Sequence, residues 1–202
     1  MTDHRAAPPV SVWSWPMAAF RDALAGEAPV PSCGATAAVC ANLGLALVTM
    51  ALGKSQARAF STEADALLAA CRELLPPLAL HADHDMRAFG RFIDDLPRTE
   101  PEDALRQQDV TRMTEGARAA AESALAALEF AVAALPLTQP GLRCDVLAGG
   151  QIIHACVQAL LLNVAEDLPL LTDIAQAQGF EQARMDLARR AEAALEALRQ
   201  DL

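Results

Sequence analysis

Apolar positions along the 202-residue chain recur every three to four residues, and no segment shows a convincing strand alternation. The pattern opens with Trp13, Met17, Phe20 and Leu24, which fall on one helical face that Gly26 is placed to stop. After the turn "EAPVPS" comes a run without charge from Cys33 to Gly53, read as a second helix that ends near Lys54. A third helix begins around Ser61, with Leu67, Leu68, Cys71, Leu74 and Leu75 as its stripe, and Pro76-Pro77 is expected to break or kink it. Residues 78–96 continue the period as a fourth stretch. Thr99 and Glu102 read as a T-x-x-E capping box before a long Ala-rich helix that reaches about Leu135. Asp145 is expected to cap a second uncharged helix, "VLAGGQIIHACVQALLLNVA", which ends before Pro169. An amphipathic helix then runs from Asp173 to the C-terminus. Residues 1–10 read as a loose arm, and 11–202 as one domain. The pattern therefore predicts an all-α, single-domain bundle of six to eight helices.

The two uncharged helices are each near the roughly 20 residues that a membrane span requires. Both are rich in Ala and Gly, and they carry Thr36, Asn42 and Thr49, or Gln151, His154, Gln158 and Asn163. Neither has an aromatic belt or a basic flanking loop. They read as central helices of a soluble bundle, with no membrane partner. Gly34, Ala37, Ala41 and Gly44 allow a very close neighbour, which suits a core or a subunit interface. The chain is expected to form at least a homodimer, because one small bundle is not expected to cover that apolar surface.

Composition sharpens this picture. Aromatic residues make up 4% of the chain, and Ala and Leu dominate, as helices favour. A net charge of −10 argues against nucleic acid and anionic lipid as partners. The N-terminus has no apolar signal-peptide core, so a cytoplasmic location is expected. The five cysteines form no C-x-x-C pair and read as free, small core residues.

One residue breaks the pattern. Leu78, Ala82, Phe89, Phe92 and Leu96 share a helix face, and Asp85 falls within it. A carboxylate on a buried face costs several kcal/mol unless it is paired. It is either a structural acid held by an arginine or a helix end, or a base or anion facing a cationic substrate. His81, Asp83, His84 and Asp85 invite a metal reading, but no further ligand is apparent nearby and none is expected. His154 reads as a satisfied core histidine. Lys54, the single lysine beside fifteen arginines, is either a snorkelling residue at a helix end or an electrophile at a site mouth. No G-x-S-x-G, P-loop or dinucleotide motif is present.

Taken in order, these pieces resemble the cyclodeaminase/cyclohydrolase family. The family turn P-T-P-G-G-G-S-A-A-A is here "PVPSCGATAA", and "LGLALVTM" continues it before a closing G-K. L-I-D-x-D-A-x-A-F is here "HADHDMRAF", S-D-x-x-V is "CDVLAG", and A-L-L-N-V-x-I-N-L is "ALLLNVAEDL". Ser32 and Cys33 replace two turn glycines, Cys144 replaces the serine, and Asp167 replaces the second asparagine. The resemblance implies a dimeric helical bundle that binds tetrahydrofolate derivatives near the subunit contact. It implies catalytic roles for Asp85 and Lys54. It also implies a substrate-binding turn at Pro31, Ser32, Cys33 and Gly34, with Asn163 beside it; Asp145 is expected to bind the pterin. The expected activity is 5,10-methenyltetrahydrofolate cyclohydrolase. The alternatives are formimino-tetrahydrofolate cyclodeaminase, or a non-catalytic member that binds a pterin or a protein partner.

Overall fold

The structure is a computed structural model and describes residues 11–200; the arm expected at 1–10 lies outside the described residues. Six α-helices follow one another: α1 (Met17–Leu24), α2 (Cys33–Arg58), α3 (Thr62–Asp95), α4 (Ala104–Ala134), α5 (Arg143–Asp167) and α6 (Ile174–Gln200). Short 3-10 turns lie before or between them, and no strand occurs among the described residues. The bundle is all-α and single-domain, as the periodicity predicts.

The two uncharged helices lie side by side. α2 packs on α5, α3 and α4, and Leu45, Val48 and Leu52 project from it into the main core. Leu68, Cys71 and Leu78 of α3, Leu125 and Leu128 of α4, and Ile153, Val157 and Leu160 of α5 complete that core. A helix that is apolar all round needs neighbours on several sides, and this position supplies them. Both α2 and the stretch 140–170 are long and apolar enough to cross a membrane, but 61% of the α2 window is buried inside the bundle.

α2 and α5 run antiparallel at very close range. A Cβ placed on Gly149 would lie 2.7 Å from the Gly44 carbonyl oxygen, so only glycine fits at the crossing. Gly34 and Asn163 meet at one end of the pair. At the other end, the Gln139 amide donates to Ser55 Oγ at 3.0 Å.

Several expectations need correction. Pro76-Pro77 does not break the chain into two helices, and α3 runs through the pair as one 34-residue helix. Both prolines are exposed, so water can satisfy the carbonyls they leave unpaired. Asn42 Nδ2 donates to the Leu75 carbonyl at 2.6 Å and ties this turn to α2. The Thr99/Glu102 capping box does not form. Thr99 Oγ1 instead donates to the Asp95 carbonyl and accepts from Arg106, while Asp103 is the residue at the cap position. Asp145 is the third residue of α5 and lies in its first turn; the cap position is Leu142. Trp13 and Met17 are exposed, leaving Phe20 as the buried residue of α1. Of the cysteines, Cys71 and Cys156 are buried, Cys40 is half-buried, and Cys33 and Cys144 are exposed. His154 pairs with Glu192 at 3.1 Å, so it is satisfied by an acid at the bundle surface.

Candidate active site

The first turn of α2 leaves backbone N–H groups without helical partners, and the Ser32 side chain does not cap them. Asp85, from the middle of α3, does so across the bundle. Its Oδ2 accepts the Ala35 amide at 2.8 Å and the Ser32 hydroxyl at 3.3 Å. Burial lifts the Asp85 pKa above the ordinary carboxylate range, and these two donors oppose that lift. The positive end of α2 also favours the anion.

Gly34 is required by this arrangement. A Cβ there would lie 2.0 Å from Asp85 Oδ1 and 2.9 Å from Asn163 Nδ2. The two glycines replaced in the turn are not needed in the same way. No residue described here has a positive φ, and Ser32 uses its extra hydroxyl to bind Asp85.

Asp85 opens onto a cavity of about 520 Å³ between the start of α2, the middle of α3 and α4, and the end of α5. Ser32, Cys33, Gly34 and Asn163 line it with Asp85, so five of the eight residues selected from the sequence converge here. Pro31 is buried and is not part of the lining. Lys54 and Asp145 are elsewhere. Lys54 is exposed and stands 20 residues along α2 from Gly34, about 30 Å at 1.5 Å per residue. Asp145, at the opposite end of α5 from Asn163, lies toward the same far end of the bundle. Neither shares the Asp85 cavity of its own chain.

Other cavity groups were not selected from sequence. Glu166 and Asp167 come from the last turn of α5, and Arg87, Arg91 and Arg112 add positive charge from α3 and α4. The one signal in sequence that could have found Asp167 is its spacing, one helical turn beyond Asn163 on the same face. Burial, together with the nearby Asp85 and Glu166 carboxylates, pushes the Asp167 pKa up to about 7, against the effect of its contact with the Thr114 hydroxyl. His81 lines the wall with its Nε2 2.9 Å from Ser123 Oγ, and burial, then His84, lowers its pKa. Among the described residues no three His, Cys, Asp or Glu side chains converge as a metal site.

Among the described residues the protein is thus an all-α, six-helix bundle in which a carboxylate from one helix caps another at the wall of a cavity. A family model described as formiminotransferase-cyclodeaminase matches residues 16–186, and the chain belongs to that family. It is 29% identical over 174 residues to formimidoyltransferase-cyclodeaminase of Gallus gallus, covering 78% of this chain and 31% of that one. The chain thus spans about a third of this relative's length. The crystal structure of formiminotetrahydrofolate cyclodeaminase from Thermotoga maritima has the same fold, with a TM-score of 0.87 at 18% identity over 94% of this chain and 96% of that one.

Proposed function

We propose that this protein closes the one-carbon bridge of tetrahydrofolate, converting 5-formiminotetrahydrofolate to 5,10-methenyltetrahydrofolate with release of ammonia. The observation that carries the reading is the Asp85 carboxylate, held by the Ala35 amide and Ser32 hydroxyl at the wall of a cavity large enough for a pterin. The formimino group is an amidinium cation, and an anion beside it stabilises the charge and accepts the N10 proton as the ring closes. The names of the similar proteins favour the cyclodeaminase reaction over the cyclohydrolase reaction that the sequence first suggests. Opening of the methenyl bridge by water uses the same carboxylate and is the second reading.

The active form in this proposal is a soluble homodimer. A second, apolar groove of about 410 Å³ lies between α2 and α5, lined by Thr36, Ala37, Cys40, Ile152, Cys156 and Ala159 among others. Leu43 and Ile152 are exposed on these helices. A two-fold axis across the α2–α5 pair reverses the helix direction. It carries the partner's Lys54 and the partner's Asp145 toward the Asp85 end of this chain. That arrangement is the one in which Lys54 serves the site.

The test is the absorbance of the methenyl chromophore. It rises with 5-formiminotetrahydrofolate if the cyclodeaminase reading holds. It falls with 5,10-methenyltetrahydrofolate, faster than the spontaneous rate, if the cyclohydrolase reading holds. Asp85→Asn is expected to lower turnover about a hundredfold or more, the scale of a lost acid/base group. No change with either substrate, or full activity of a folded Asp85→Asn protein, refutes the proposal.

A further inference from the structure

Asp85 and Asp167 occupy opposite electrostatic settings within one cavity. Asp85 faces the N-terminus of α2, where a backbone amide and a hydroxyl both donate to Oδ2. Asp167 is the last residue of α5, where unpaired helix carbonyls disfavour a negative charge. Its hydrogen-bond geometry carries a further constraint. The Thr114 hydroxyl lies 2.9 Å from the Val110 carbonyl oxygen and 3.3 Å from Asp167 Oδ2. Thr114 is fully buried and has one hydroxyl proton to offer two acceptors. The shorter contact is to the carbonyl, which can only accept. Both contacts are satisfied together when the proton in the second one belongs to Asp167.

We propose that Asp167 is a second catalytic residue of this cavity, a neutral carboxylic acid that protonates the departing nitrogen while Asp85 acts as the base. This inference rests on the folate reading above. The N10–carbon bond forms on the amidinium carbon, and the N10 proton passes to the Asp85 carboxylate. The proton of Asp167 then passes to the amino group on that carbon, the carbon–nitrogen bond breaks, and ammonia leaves with the bonding pair. The methenyl cation remains. Asp85 ends protonated and Asp167 ionised, and solvent returns the proton. In the reverse sense, water replaces ammonia and the same pair serves bridge opening.

The surroundings support this division of roles. Burial and the Asp85 and Glu166 carboxylates lift Asp167 to about 7, so it holds a proton near neutral pH and can lose it. The remaining ionisable groups on the wall are Cys33 from α2, and His81, His84, Arg87 and Arg91 from α3. Arg112 from α4 is the other cation, and it is engaged at 2.9 Å with Asp109. The asparagine at this place in the family pattern has no proton to give at neutral pH, so the role belongs to this chain's own residue.

The test uses the full chain, wild type and Asp167→Asn. The wild-type rate with 5-formiminotetrahydrofolate should fall as pH rises through about 7, where the acid is lost. Asp167→Asn should turn over at least about tenfold more slowly at pH ~6 and lack that alkaline limb. Asp167→Glu should restore part of both. Binding of unreactive 5-formyltetrahydrofolate, measured by calorimetry, should stay within about threefold in Asp167→Asn, as expected when a group acts mainly in the transition state. The proton itself is read by infrared difference spectroscopy, as a carboxylic-acid band that is absent from Asp167→Asn. An unchanged rate and pH profile in Asp167→Asn, or no such band in the wild type, overturns the proposal. A wild-type protein that shows the band but neither binds nor turns over folate overturns the folate reading, and the catalytic step falls with it.

Discussion

Gly34→Ala tests whether Asp85 is held by geometry or merely tolerates it. The added Cβ would lie 2.0 Å from Asp85 Oδ1, 2.5 Å from its Cγ and 2.9 Å from Asn163 Nδ2. No rotation of the new methyl relieves this, because a Cβ is fixed by the backbone. Asp85 must therefore leave its position and give up the Ala35 amide and the Ser32 hydroxyl. The shorter of the two, the charge-assisted bond from the Ala35 amide, sets the cost at about 1.5–3 kcal/mol. The helix gains roughly 0.5–1 kcal/mol from replacing glycine by alanine. The net destabilisation is about 0.5–2.5 kcal/mol, a fall in Tm of about 1–10 °C for a chain of this size. Activity should fall much further, by about a hundredfold or more, because the base is displaced. Gly90→Ala is the control. It lies on the same helix as Asp85 with nothing within 4 Å of an added Cβ, and it should raise Tm slightly and leave turnover unchanged. Thermal unfolding and the methenyl absorbance assay read both effects. A Gly34→Ala protein with wild-type Tm and turnover refutes the reasoning, as does one no worse than Gly90→Ala.

The same logic predicts that Gly149→Ala destabilises the fold by about 1–3 kcal/mol, because its Cβ meets the Gly44 carbonyl at 2.7 Å and α2 and α5 must separate; denaturant unfolding checks this. Asp167 also makes stability depend on pH. Its folded pKa is raised to about 7, so its stabilising contribution is full below the unfolded value near ~4 and is lost as pH rises through about 7. Urea midpoints of the wild type should therefore fall relative to Asp167→Asn across that window and run parallel above it. For the dimer, Asp85→Asn and Lys54→Met proteins should each be nearly inactive. After subunit exchange, about a quarter of wild-type activity should return, since half the dimers are mixed and each then holds one intact site of two. No recovery refutes the shared site.

The helices were legible because burial imposes a 3.6-residue period, and a chain rich in Ala and Leu has few other ways to satisfy it. The misreadings share a cause: local signals decide only where tertiary contacts do not compete. Pro76-Pro77 does not end α3, because the pair faces solvent. Thr99 does not cap α4, because Arg106 and the Asp95 carbonyl take its hydroxyl. Asp85 could be singled out because a carboxylate within an apolar stripe is an anomaly in one dimension as well as in three. Asp167 raises no such anomaly at the polar end of a helix. Its setting depends on Thr114, which is 53 residues away in sequence, and on Asp85 from a third helix.

Lys54 teaches a different lesson, because its distance from the cavity was already implicit in the chain. A helix that starts at Cys33 and continues past Lys54 has no way to bring its two ends together. Twenty residues of helix set Gly34 and Lys54 about 30 Å apart whatever the rest of the fold does. Asp145 and Asn163 are separated in the same way along α5. If all four residues serve one substrate, two chains must meet with these helices running in opposite directions. In the proposed dimer, the small-residue, apolar face shared by α2 and α5 is the surface across which they do so. On that proposal, helix length alone requires the second subunit.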